Sequence, residues 1–204
     1  MVLLGLVLLP LQASQTSETN VAKNAASVVL NKLPGLLTSM GKLTKQELLV
    51  GVPQDKTARK DEKVAMNNAT LAYIHDNGSP AQNIPARPFM RPGIEAAAGP
   101  VAQRFKAAAK QALHGESQGA NSNLNAAGLI AQTSIKNAIN EGIAPPLSDA
   151  TLKARIRNKT AVKGAKMELA NRAAGNAPGI GFAKPLVATG QLRNSISYIL
   201  REKK

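Results

Sequence analysis

The chain has 204 residues, no cysteine, no tryptophan and a net charge of +14. The length suits one domain of ordinary size, and the missing thiols exclude a disulfide framework, a thiolate metal site, a cysteine nucleophile and an iron–sulfur cluster. His75 and His114 are the two histidines, too few for a histidine metal centre or a Ser–His relay, while the charge excess points to something acidic: nucleic acid, anionic lipid or a protein surface.

Residues 2–9 form an apolar run that ends at Pro10. No Lys or Arg precedes it, which speaks against a signal peptide. It is far shorter than the roughly 20 apolar residues of a membrane span. The reading is an apolar N-terminal arm over 1–18 that packs on protein, ahead of a single domain over 19–204. Asn20 caps an expected helix over 21–33, with Val21, Ala25, Val28, Val29 and Leu33 at helical spacing. Pro34-Gly35 interrupts it, and a turn or short helix follows over 36–43. Residues 47–52 read as a strand stopped by Pro53. Residues 54–63 are charged and aperiodic, as in a solvated loop.

Within residues 67–80 a short helix is expected, capped by Asn67 or Asn68 and stopped at Gly78. Pro85, Pro88 and Pro92 then make the next segment extended and rigid, with Ile84 and Phe89 as apolar plugs. Pro92 fits the first turn of a following helix. Gly99-Pro100 predicts a break. Beyond it come a helix over 101–115, a polar linker over 116–123 and a long helix over 123–142. Pro145-Pro146 resets the chain, and Ser148 caps a short basic helix with Asp149 at its start. Residues 158–184 read mostly as loop. Thr189 caps a single turn, and 195–200 alternates as a strand with Ile196, Tyr198 and Leu200 on one face. The pattern is an α+β fold, mostly helical, with a small mixed or antiparallel sheet, an N-terminal arm and long loops.

The core is expected to be thin. Aromatics are confined to Tyr73, Phe89, Phe105, Phe182 and Tyr198, against 34 alanines. A methyl buries far less apolar area than a ring, so such a chain owes much of its stability to neighbours in an assembly.

Chemistry is hard to find. The stretch GNAPGIGFAKP (175–185) lacks the Gly-Lys-Ser/Thr ending of a phosphate loop and reads as a flexible loop. His75 adjoins Asp76, but neighbours in a helix do not face each other, so a capping or structural role fits better than an acid–base pair. No paired-acid or metal-ligand spacing appears, so neither enzyme activity nor a cofactor is expected. Residues 145–204 hold 12 Lys and Arg against three Asp and Glu. Lys153, Arg155, Arg157 and Lys159 are the candidate contacts to an acidic partner or to DNA. No stacking aromatics accompany them, which favours a docking surface over a nucleic-acid reader.

Two stretches carry more than any single motif. The first is Ala72-Tyr73-Ile74-His75-Asp76-Asn77-Gly78-Ser79-Pro80, then Ile84-Pro85-Ala86-Arg87-Pro88-Phe89-Met90-Arg91-Pro92. The second is Pro146-Leu147-Ser148-Asp149-Ala150-Thr151, then Lys184-Pro185-Leu186 and Thr189-Gly190-Gln191-Leu192-Arg193-Asn194-Ser195-Ile196. In this order they resemble a family of tailed-bacteriophage morphogenesis proteins, the tail-component, tail-completion or neck proteins of the head–tail junction. The resemblance covers about residues 47–53 and 70–200. It departs at Asp76-Asn77, where Glu-Phe is usual, at Pro145, where Trp is common, and at Val187-Ala188.

The resemblance implies a structural virion protein, assembled in the host cytoplasm, that forms an oligomeric ring joining head connector to tail. Its implied partners are further copies of itself and neighbouring connector, tail-terminator or tail-tube proteins, with non-specific contact to DNA in the lumen and none to a membrane. The alternative is a basic nucleic-acid-binding accessory protein. Candidate interface or structural residues are Tyr73, His75, Pro85, Arg87, Phe89, Arg91, Thr189, Gly190 and Arg193. Arg87 and Arg91 are expected to grip carboxylates or carbonyls bidentately, and the capped turn to aim Arg193 outward.

Overall fold

The computed structural model describes residues 33–53 and 67–203. The expected arm over 1–18, the helix over 21–33 except its last residue, and the charged loop over 54–63 lie outside the described residues. The elements are a helix α1, described over 33–44, strand β1 (Gln46–Gly51), helix α2 (Asn68–Asn77), a 3-10 turn (Pro80–Gln82), and helices α3 (Met90–Leu113), α4 (Ser117–Glu141), α5 (Asp149–Arg157), α6 (Val162–Ala173) and α7 (Gln191–Ser195). Strand β2 (Ser197–Glu202) closes the order. The fold is α+β and mostly helical, with one two-stranded antiparallel sheet among the described residues.

An antiparallel hairpin of α3 and α4 is the frame. Small residues face each other along it: Ala97, Ala108 and Ala112 from α3, and Ala120, Ala127 and Ala131 from α4, all buried. Gly93 marks the closest approach, because a Cβ there would lie 2.6 Å from the Ile135 Cα. The sheet lies across α4. Its register pairs Val50 with Tyr198 and Leu48 with Leu200. Tyr198 reaches the helix over Gly128, where a Cβ would lie 2.3 Å from its ring. Leu43 and Leu200 cover a small cluster of Ala108, Ala112, Ala120 and Leu124. The largest apolar cluster joins Phe89, Ile135, Ile139 and Ile196, so it gathers the proline segment, α4 and the entry to β2. A third joins Leu147, Leu152, Ala165 and Ala183.

Several elements differ from expectation. Helix α3 runs unbroken through Pro100. An interior proline costs about 3 kcal/mol in a helix. Here buried alanines lie on both sides of it, so packing on α4 fixes the helix before and after the ring. Ala96 and Pro100 are exposed, which leaves the carbonyl without its donor open to water.

The expected linker over 116–123 is instead the first turns of α4. Asn123 ties this turn to α3, its Nδ2 donating to Gln111 Oε1 at 2.7 Å, and also donates within α4 to Gly119 O at 3.0 Å. The loop over 158–184 contains the twelve-residue helix α6. Buried Glu168 shares its core face with Ala165, so a charge interrupts the apolar period that marks a helix. Gly164 lets the Phe182 carbonyl pass where a Cβ would lie 2.2 Å from its oxygen. Ser195 belongs to α7 rather than to the last strand. The turn's N-cap is Gly190, at φ +76°, with the Thr189 hydroxyl accepting from Gln191 N at 3.4 Å. Ile84 is half-buried and so a lesser plug than the fully buried Phe89.

Candidate functional site

Helix α2 sets the geometry of the proline segment. Asn67 caps it by accepting from Thr70 N at 2.8 Å. At its far end the Asp76 carboxylate accepts from Phe89 N at 2.8 Å and from Met90 N at 3.0 Å. Two unpaired N–H groups at the start of α3 thereby gain a charged acceptor, as a side-chain cap would supply. Between these points Arg87 N donates to the His75 carbonyl at 2.7 Å. Gly78, at φ +78°, makes the turn that brings Ala86 against the end of α2. The segment is thus bolted to α2 at the His75 carbonyl and the Asp76 carboxylate, which fixes the backbone that carries Arg87.

Arg87 points inward. It is 6% exposed, and its Nε and Nη2 donate to the Pro145 carbonyl at 3.2 and 3.0 Å. Nη2 also reaches Pro146 O at 3.4 Å. This is the expected two-handed grip, made on carbonyls of the segment that links α4 to α5. Arg155 follows the buried Leu152 by one helical turn and is 8% exposed. Its Nη1 donates to Lys184 O at 3.0 Å. Burial pushes both guanidinium groups below the ordinary arginine range, and for Arg155 the nearby positive charge of Arg87 adds to it.

The two arginines line one cleft of about 320 Å³ between α2, α5 and the segment that enters α7. His75, Thr189 and Gly190 line it too, so five of the expected residues meet there. The others do not. Tyr73 is 70% exposed, and Pro85 and Arg91 are exposed as well. Phe89 is a core residue.

Two expectations need correction. Arg193 does not aim outward: its Nη1 donates to Asn140 Oδ1 at 3.0 Å, and Lys184 Nζ donates to the carbonyl of the same residue. Both cations sit at the end of α4, where the helix dipole is negative. Arg155 is no surface contact, since it is buried in the cleft; Lys153, Arg157 and Lys159 are exposed. The physical reason is helical spacing. Leu152, Arg155 and Ile156 share one face of α5, Lys153 and Arg157 lie off that face, and Lys159 follows the helix end at Asn158 with φ +55°.

Below the cleft, Arg172 joins α6 to α5. It donates to Glu168 Oε1 at 2.8 Å and to Asp149 Oδ1 at 2.6 Å. Glu168 is 1% exposed and also accepts from Gly179 N at 2.8 Å. The Gly179 N–H, followed by Arg172, holds its carboxyl below the usual range against the opposing effect of burial. Sequence reasoning passed over this buried pair and the Asp76 cap. The one available signal was Glu168 and Arg172 at i and i+4.

No protein-family model, no curated protein and no solved structure matches this chain. Among the described residues no helix is long and apolar enough to cross a membrane, and no three acidic or histidine side chains group as a metal site would require.

Proposed function

We propose that the chain is a structural subunit of the neck or tail-completion assembly of a tailed bacteriophage. It forms an oligomeric ring that joins the head connector to the tail, and it works by interface complementarity rather than by catalysis. The observation that carries this reading is the outer face of the hairpin. Between α3 and α4 a shallow groove of about 390 Å³ is lined by Ala96, Pro100, Leu129 and Ile130, with Leu129 54% exposed. Ile94 on α3 and Tyr73 on α2 also leave large apolar surface in water. A ring subunit has two such faces that its neighbours cover. The order of motifs over 70–200 supports the same reading. The grips of buried Arg87 and half-buried Arg193 serve fixed geometry and leave no reacting atom in view.

Positive charge on Lys153, Arg157 and Lys159 meets acidic neighbours. In the rival reading, a nucleic-acid-binding accessory protein, these same side chains contact phosphates, and affinity for DNA falls steeply with salt. The deciding experiment is imaging of particles from a deletion strain. Separate heads and tails are the expected result; joined, infectious particles overturn the proposal.

A further inference from the structure

An arginine carries five N–H donors. Arg87 spends Nε and Nη2 on the carbonyls of Pro145 and Pro146, and Arg155 spends Nη1 on Lys184 O. Among the described residues, no other hydrogen bond reaches Arg87 Nη1 or Arg155 Nε and Nη2, and these atoms are not sealed from solvent. Nor does either guanidinium pair with a carboxylate. The ion pairs among the described residues are Arg172–Asp149, Arg172–Glu168 and Arg201–Glu47. Two like charges therefore stand nine-tenths buried along one cleft, with donors left over and no counter-charge. A buried charge without a partner is costly, and a planar guanidinium grips carboxylate or phosphate oxygens with paired donors.

We propose that the cleft is an oxyanion site, which takes one carboxylate or phosphate group between Arg87 and Arg155. Its volume of about 320 Å³ admits such a group with several waters, each of which occupies roughly 30 Å³. The anion has two sources: free oxyanion in solution, or the acidic side chain of another protein chain inserted into the cleft. The proposal rests on the cleft alone and stands or falls separately from the virion reading.

The test is the melting temperature of the full chain at constant ionic strength, as chloride is exchanged for inorganic phosphate or for N-acetylaspartate amide. Saturable stabilisation of about 3–5 °C at saturation is expected with at least one probe. The stronger probe names the source: phosphate a free oxyanion, the carboxylate an acidic side chain. Arg155→Gln removes the saturable rise. Asn158 lines the same cleft from the end of α5, and Asn158→Asp supplies a resident carboxylate. That variant no longer responds to either probe. If Arg155→Gln does not fold, Asn158→Asp decides alone. A parent chain that responds to neither probe, or an Asn158→Asp variant that responds as the parent does, overturns the proposal.

Discussion

The hairpin and the C-terminal third are held together by different physics. Between α3 and α4 the buried contacts are mainly methyl groups and glycine faces, joined by the Asn123–Gln111 hydrogen bond, and nothing charged is buried there. Between α5, α6 and the segment after them, Arg155, Glu168 and Arg172 do the joining, with Leu147, Leu152, Ala165 and Ala183 as a small apolar centre. Close packing of small residues is insensitive to salt and pH but intolerant of volume. Charge-assisted bonds tolerate modest shape changes but fail when one partner is neutralised. The lesson is that a chain poor in large apolar side chains has two ways to be rigid, and this one uses each in a separate region.

That contrast is open to direct attack. The largest effect is expected from Gly93→Ala, whose Cβ would press on the Ile135 backbone; the helices must part, at a cost of about 3 kcal/mol in urea unfolding. Next comes Glu168→Gln, which leaves Arg172 with half its partners and costs about 2–3 kcal/mol. It also carries a pH signature. The folded carboxyl sits below its ordinary value of 4.5, so its stabilisation is present above pH 4.5 and disappears as pH falls through the lower folded value. Acid unfolding followed by circular dichroism should therefore show a shallower loss below pH 4.5 in Glu168→Gln than in the parent, whereas Gly93→Ala should retain the parent's slope.

Asp76→Ala removes the acceptor for two N–H groups at the start of α3 and costs about 1–2 kcal/mol. The smallest change has the opposite sign. Gly41 lies inside α1, and its Cβ position is open. Gly41→Ala should gain about 0.5–1 kcal/mol in urea unfolding, and a loss there would show that tolerance in the helices is not set by local space.

Much of the fold was legible wherever a local rule decides the outcome. The caps Asn67 and Ser148, the stop at Gly142 and the strands over 46–51 and 197–202 follow from side chains that act on their own neighbours. Legibility failed where distant packing overrules a local signal. Pro100 is a helix breaker in isolation and is overruled by α4. Polar residues over 116–123 look like linker until Gln111 is seen opposite them. Glu168 hides a helix because its partners, Arg172 and Gly179, lie on one turn of α6 and on a later loop. The cleft was half legible: the motif holding Arg87 marked it, but Arg155 looked like one more basic surface residue, and only its spacing from Leu152 sets it apart.

The pairing of β1 with β2 carries a consequence for how the chain is made. Glu47 and Arg201, which meet across the sheet at 2.5 Å, are 154 residues apart. At ribosomal rates of 5–20 residues per second, β1 emerges roughly 8–30 seconds before its partner strand exists. The helical hairpin needs only local contacts and can form in that interval. Throughout it, the backbone of β1 presents an unpaired edge that only the late strand can pair. The two-stranded sheet is thus the last of these features to close during synthesis.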